Sequence, residues 1–571
     1  MVRMLLLAIA LALPAQAATR LHTDRVSAAV QWMEWGKPAI ERAQREKKPI
    51  FLSIGYAASW DVHRMHADAF AANAAALNAR YVPVLLDRIE HPDIAAAYEA
   101  IANVQGWPVN LILTPSLEPC AAAGFLDAPS LGRMLAQEHP NADAAASAMV
   151  AKARAAVDRR AAAPVDATTL EAVVDAIATR YDKEKTLDPM TVLFLLRYAE
   201  RTQHAPLRTL AVDTLRSVAK TGKRDQLGGG FFRCDGCYDK HLHEQALYTL
   251  AYLEAFQLTK IPELEQVVRS TVDYVLRDLR LDHKGAFEAS QYAHSLIPNN
   301  GQPVFANGAF YAPFTPEQVE SIGADKLFEA RQKRPSPFRE PFVEPAWNGL
   351  MISAAARAAA VLSEPRYLDA AIQAATIVTK KHDHPALVQG LLDVFAASYD
   401  VKWLDAAIAM QQRLDKSAPV SSLPERVQGI VLERDVDVPS PTALTAINVQ
   451  RLAALTGNAA WRERPPSLFH VFGGRMRAYG AEHTHLASAY EMTFRAPRIV
   501  VVTGDVRAKE THDVLAAEQQ RWEPMRFVVF LPHRGPARDR VIKALPFTAA
   551  LTGDPKLVLT YVCSEGECRR Q

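Results

Sequence analysis

Lys47-Lys48-Pro49-Ile50-Phe51-Leu52-Ser53-Ile54-Gly55-Tyr56-Ala57-Ala58-Ser59-Trp60-Asp61-Val62-His63 reads as a buried strand, a loop, and a helix that opens near Ser59. The largely apolar run Ile50–Ile54 is the mark of a strand covered on both faces. A dithiol redox site at such a junction sets two cysteines three apart, where the strand turns into the helix. The helix N-terminus and its macrodipole then lower the thiolate pKa of the first. Here those positions hold Ser59 and Val62. A serine hydroxyl cannot form a disulfide and a valine cannot resolve one, so the junction lacks the reagents of that chemistry.

Outward from this stretch, Ile50–Ile54, Val82–Leu86 and Asn110–Thr114 read as strands, with helices at Asp68–Asn78 and Ile94–Ile101. Such alternation predicts an α/β layer. An amphipathic helix marked by Trp32, Trp35, Ile40 and Ala43 is expected within 24–45, and the α/β unit as a whole over 24–145. From about 165 the pattern turns helical. A polar turn followed by a new helix recurs at Leu258–Leu264, Ser363–Leu368, Tyr399–Leu404 and Leu455–Trp461. Repeated hairpins each bury an apolar face against the next, in an open array or a closed ring. Near the C-terminus, Arg498–Thr503, Phe527–Leu531 and Leu557–Val562 read as strands, with a helix at Glu510–Gln520: a small α/β appendage over 496–571.

The 571 residues exceed one simple domain, and 49% hydrophobic content supports a full core. Sixty-five basic against 63 acidic residues leave a net charge of +2, no electrostatic case for nucleic acid or an anionic membrane. Met1-Val2-Arg3, the apolar Met4–Leu13 and Ala15-Gln16-Ala17 form the tripartite pattern of a secretory signal peptide over 1–17, cut near Ala17. The expectation is a periplasmic or secreted protein without a transmembrane segment. Export places Cys120, Cys234, Cys237, Cys563 and Cys568 in an oxidising compartment, which favours two local disulfides, Cys234–Cys237 and Cys563–Cys568, and one buried thiol.

The richest polar cluster is Gly228-Gly229-Gly230-Phe231-Phe232-Arg233-Cys234-Asp235-Gly236-Cys237-Tyr238-Asp239-Lys240-His241-Leu242-His243-Glu244. The glycines mark a sharp turn or a close backbone approach and no phosphate loop, since no Gly-Lys-Ser/Thr follows. Cys234 and Cys237 carry three readings: a loop-stapling disulfide, a dithiol for thiol exchange, or, with His241 and His243, a zinc set of unusual spacing. A second constellation is Phe287-Glu288-Ala289-Ser290-Gln291-Tyr292-Ala293-His294-Ser295, in which Glu288 is the one carboxylate. Sugar hydrolysis needs two. Glu344 precedes Trp347-Asn348-Gly349-Leu350-Met351-Ile352, where Trp347 is either a sugar-stacking platform or core. His63 is either a site remnant or a polar group on a helix surface.

These blocks resemble the spermatogenesis-associated protein 20 family, which joins a thioredoxin-like domain to a long helical domain. That family reads K-P-I-F-L-S-I-G-Y-S-T-C-H-W-C-H-V-M, then V-D-R-E-E-R-P-D, then G-W-P-M-N-V-F-L-T-P. The chain matches at Pro49–Tyr56, His63 and Met65, at Asp87-Arg88-Ile89-Glu90-His91-Pro92-Asp93, and at Gly106-Trp107-Pro108-Val109-Asn110-Leu111-Ile112-Leu113-Thr114-Pro115. The family's two cysteines fall on Ser59 and Val62. The resemblance implies a cis peptide before Pro108, and over 165–495 an α/α toroid similar to six-hairpin glycosidases and sugar epimerases. It also implies that an acidic F-Y-S-A-E-D-A-D-S cluster has become Gln291, Tyr292 and His294 here.

With both reactive sites depleted, the expected function is a redox-inactive binding or scaffold module of the cell envelope, without a cofactor. Its ligand would be a peptide beside Trp107 and Pro108, or a small molecule, carbohydrate included, near Gln291, Trp347 and Asn348. Two alternatives stand beside it: an oxidoreductase using Cys234–Cys237, and a carbohydrate-active enzyme using Glu244, Glu288 or Glu344.

Overall fold

The computed structural model describes residues 29–571 apart from 105, 159–161, 282–284, 301, 312–320, 417–422, 428–433, 436 and 565–566. The expected signal peptide, 1–17, lies outside the described residues. Two units emerge, Met1–Arg154 with Ser421–Val431, and Ala155–Val420 with Leu432–Gln571.

The first unit is a thioredoxin-like layer. Its elements are β1 (Met33–Glu34), α1 (Lys37–Glu46), β2 (Ile50–Gly55), α2 (Trp60–Arg64), α3 (Ala74–Arg80), β3 (Val82–Asp87), α4 (Pro92–Ala102), β4 (Val109–Leu113), β5 (Pro119–Ala123), α5 (Ala128–Ala136) and α6 (Ala142–Asp158). The sheet order is β1-β3-β2-β4-β5. The first three strands are parallel, and β4 and β5 run antiparallel. Every residue of β2 and β3 is buried, as the apolar run requires of a strand covered on both faces.

Two expectations change here. The helix placed within 24–45 is helical only from Lys37, because Met33 and Glu34 pair with Val84 and Leu85 as an edge strand. Trp32 packs edge-on against Phe70, with ring centroids 5.0 Å apart. The helix placed at Asp68–Asn78 is broken: a π-helical turn, Met65–Phe70, continues α2, and a new helix starts at Ala74.

The second unit contains a ring of helical hairpins: α7 (Ala167–Glu184), α8 (Pro189–Thr202), α9 (Ala205–Val218), α10 (Leu242–Thr259), α11 (Pro262–Asp278), a short α12 (Ala324–Gln332), α13 (Pro345–Leu362), α14 (Pro365–Val378), α15 (Pro385–Ser398), α16 (Val401–Lys416), α17 (Pro441–Thr456), α18 (Ala459–Ala478) and α19 (Thr484–Met492). The inner helices α8, α10, α13, α15, α17 and α19 pack in that order, and α19 returns to α8. The outer helices α9, α11, α14, α16 and α18 back the inner helices that precede them, and α7 closes the outer layer against α18 and α19. The array is therefore a closed α/α toroid, and the open-array alternative is excluded. The recurring sequence turns are the inner-to-outer connections, each ending in a left-handed residue: Lys260 (φ 57°), Ser363 (53°), Tyr399 (58°) and Gly457 (72°).

The tightest inner crossing is α13 on α15. A Cβ on Gly349 would stand 2.6 Å from the Leu387 nitrogen and nearer still to the Ala386 carbonyl carbon. A Cβ on Gly390 would stand 2.9 Å from the Gly349 oxygen. Only glycine lets these backbones approach so closely.

A small sheet at one end of the ring joins β6 (Lys240–His241), β7 (Ser290–Asn299), β8 (Gln302–Asn307) and β9 (Pro337–Glu340). The C-terminal segment forms β10 (Arg498–Gly504), α20 (Lys509–Gln519), β11 (Arg526–Pro532), α21 (Pro536–Ala544), β12 (Leu559–Ser564) and β13 (Glu567–Arg570), with sheet order β11-β10-β12-β13. A disulfide, Cys563–Cys568, ties β12 to β13, and Cys120 is a buried free thiol. Among the described residues no helix is long and apolar enough to cross a membrane.

Candidate functional site

Ser59 caps α2: its Oγ accepts the Val62 N–H at 3.4 Å. Val62 is 3% exposed and packs on Leu85 between Trp32, Ala57 and Trp107. A Cβ on Gly55 would come within 2.8 Å of Val62 Cγ2, so the valine fills the space beneath the junction. His63 stacks on Trp60, centroids 5.2 Å apart. The Trp107–Pro108 peptide is cis, and Pro108 is buried. Trp107 is pinned from several sides. Its Nε1 donates to Glu99 at 3.0 Å, Arg88 lies 4.2 Å over its ring, and Tyr56 meets its edge at 5.6 Å. The junction thus keeps the aromatic wall of a thioredoxin-like site, with hydroxyl and methyl groups in place of thiols.

In the toroid, β6 delivers His241 to the N-cap of α10. Asp239 Oδ2 lies 3.1 Å from His241 Nε2 and 2.8 Å from Arg233 Nε. Burial opposes its charge, but His241 and Arg233 prevail and hold the Asp239 pKa at about 2. Trp347 packs on both histidines, 5.6 Å from His241 and 4.3 Å from His243. At 7% exposure it is a core residue, the second of the two readings its sequence position allows.

The three candidate carboxylates are committed separately. Glu244 lies 3.4 Å from Lys223 Nζ, and burial pushes its pKa up. Glu288 meets Arg339 Nε at 3.3 Å. Glu344 caps α13 by accepting the Trp347 N–H at 2.5 Å, and burial raises its pKa to about 7. The two expected polar binding residues are internal braces. Asn348 accepts the Phe287 N–H and donates to the Phe287 and Glu344 carbonyls, all at 3.0 Å. Gln291 accepts from Tyr274 at 3.0 Å and from Tyr311 at 2.5 Å.

Cys234 and Cys237 are joined as a disulfide on a partly exposed loop that the Arg233 N–H closes by donating to the Asp239 carbonyl at 2.9 Å. With both sulfurs bonded to each other and His241 on Asp239, the zinc set Cys234, Cys237, His241 and His243 is not assembled. Among the described residues no group of three or more His, Cys, Asp or Glu side chains is placed to hold a metal.

Sequence reading missed a buried ion cluster. Asp225 Oδ2 accepts from Lys240 Nζ at 2.7 Å, and Arg331 donates to both Asp225 oxygens at 2.8 and 2.5 Å. Lys240 has Tyr274, Phe232 and Tyr311 rings around it at 4.1, 4.8 and 5.1 Å, and burial lowers its pKa to about 8. The glycine run serves this cluster: the Gly228 N–H donates to Asp225, and Gly229 and Gly230 take φ 76° and 74°. The glycine run signalled a close backbone approach, but not the charge it wraps, since Asp225 lies ahead of it and Arg331 is 106 residues further along.

Residues 15–167 match the family described as Thioredox_DsbH, protein of unknown function, DUF255. The chain is similar to human spermatogenesis-associated protein 20, 25% identical over 94% of this chain and 88% of that protein. The rat protein of the same name is 24% identical over the same shares. An uncharacterised Caenorhabditis elegans protein is 21% identical over 95% of this chain and 93% of its own length. Two solved structures overlay part of the chain: a D-mannose isomerase (TM-score 0.36, 15% identity, 53% of this chain and 85% of that one) and a family 76 glycoside hydrolase (mannosidase) from Bacteroides thetaiotaomicron (TM-score 0.30, 14% identity, 53% and 70%). The chain is thus similar to spermatogenesis-associated protein 20 along nearly all its length.

Proposed function

We propose, from this whole-length kinship, that the chain is an exported, redox-silent binding protein of the cell envelope, its thioredoxin-like unit serving as a recognition surface rather than a dithiol. The observation that carries this reading is the Ser59–Val62 junction, where a helix cap and a buried aliphatic side chain stand at the two sulfur positions. Export is supported by the leader pattern at 1–17 and by two disulfides, which persist in oxidising compartments. The test is insulin reduction by dithiothreitol with the purified mature chain, together with N-terminal sequencing of the protein made in cells. The expected results are no acceleration over buffer and a mature start near Ala18. Catalysis at the rate of a dithiol enzyme overturns the reading.

A second reading rests on the partly exposed Cys234–Cys237 disulfide, which thiols can reach. Mass-spectrometric titration in graded thiol/disulfide buffers separates the two. A reversible transition between about −100 and −300 mV identifies an exchanging pair. A pair that stays oxidised across that range is a staple.

A further inference from the structure

Every inner helix of the toroid contributes to a cavity of about 140 Å³ on the ring axis, roofed by the turn between α20 and β11. Its walls are charged. Arg197 grips Glu254 with two N–H groups, at 2.6 and 3.1 Å, and reaches Ser488 Oγ with a third at 3.1 Å. Trp522 in the roof donates to the same carboxylate at 3.3 Å. Burial opposes the Glu254 charge, but Arg197 and Arg357 hold its pKa at about 2. Across the cavity Asp393 accepts from Ser353 at 2.5 Å and from Arg451 at 2.6 Å.

Two features of this lining call for a guest. Arg357 commits one N–H to Glu254 at 3.1 Å and Arg451 one to Asp393, and the rest of each planar fork has no partner among the described residues. Five arginines face four carboxylates around the cavity, one positive charge in excess. Beside them His485 is 3% exposed, and neither ring nitrogen has a partner among the described residues. Burial and the nearby Arg197 keep it neutral, its pKa lowered to about 3, so it offers one donor and one acceptor. Gln389, 7% exposed, donates to Ser353 while its amide oxygen has no partner among the described residues. Buried polar groups in this state are costly unless something else satisfies them.

We propose that the axial cavity binds a small monoanionic hydroxycarboxylate of about six heavy atoms, the guest size that a void near 150 Å³ accepts. The guanidinium forks of Arg357 and Arg451 match a carboxylate, which neutralises the excess charge. A hydroxyl, donor and acceptor at once, satisfies Gln389 and His485. The site deepens the binding reading above and rests on it, yet it fails separately: thiol assays judge the first unit, and ligand titration judges this cavity.

The experiment is isothermal titration calorimetry of the full mature chain with sodium lactate and sodium glycolate, against glycerol and inorganic phosphate. Hydrogen exchange with and without lactate runs alongside. Saturable heat with the hydroxy acids and none with glycerol is expected. Arg451→Lys, which keeps the charge but loses the fork, should weaken binding at least tenfold. His485→Phe, which fills the cavity, should abolish it. Wild-type exchange should slow at 484–492 and 520–527 when lactate is added, a readout that stands even if a variant does not fold. The proposal is overturned by absence of heat and protection with both acids (ordered water alone then fills the cavity), by equal binding of glycerol, by preference for phosphate, or by binding that both variants leave unchanged.

Discussion

At residue 59 a hydroxyl holds a helix start where a thiolate would otherwise stand. Restoring both sulfurs in S59C/V62C should create a disulfide that alkylation mass spectrometry detects after oxidation, with neither single variant forming it. Glu344 carries a different consequence. Its pKa is raised from 4.5 to about 7, so between those values the folded protein binds more protons than the unfolded chain. That contribution is fully present below pH 4.5 and is lost as pH rises through 7. In Glu344→Gln the amide still caps Trp347 but cannot ionise. Between pH 5 and 8 the wild type should therefore lose on the order of 3 kcal/mol relative to E344Q, measured as a widening gap in urea unfolding of the toroid. His384 and His485 act in the opposite sense. Burial depresses them to about 4 and about 3, so their contribution is lost as pH falls from 6.5 toward those values.

Elements differ in how far the chain betrays them. Strands β2, β3 and β4 were legible because short, dominantly apolar runs bounded by turns have few other uses, and the positions of Ser59 and Val62 followed from them. The inner helices were harder. Helix α13 is buried on almost every side, so it has no polar face to give a helical period, and only its turns announced it. Sequence windows also missed the axial site, because Arg197, Asp393, Arg451 and His485 come from four helices and meet only when the ring closes. Trp347 and Asn348 misled for a related reason: residue types suited to sugar recognition are equally suited to bracing a helix start. The α13–α15 crossing makes a prediction at this scale. Gly349→Ala forces a methyl into the α15 backbone and should destabilise the toroid by about 2 kcal/mol, whereas Ala360→Gly at a partly exposed position of the same helix costs about 1 kcal/mol, mainly through propensity. Denaturant midpoints of the two variants check the order.

For the molecule as a whole, the seam between α19 and α8 governs integrity. Arg201 pairs with Glu491 at 2.6 Å, and Arg197 reaches Ser488 at 3.1 Å, across nearly 300 residues of chain. Truncation after residue 482 removes α19 together with the C-terminal segment β10–β13 and leaves apolar faces of α8 and α17 open. The expected product aggregates or lacks near-ultraviolet dichroism, while Arg201→Lys stays folded. That seam also sets a timetable. The piece that closes the ring lies nearly 300 residues after α8, so synthesis from the N-terminus yields only an open arc until residue 492 has emerged. Contacts this distant in sequence form slowly. A nascent toroid therefore remains an open arc for most of its synthesis, and its closing contacts are the last to form.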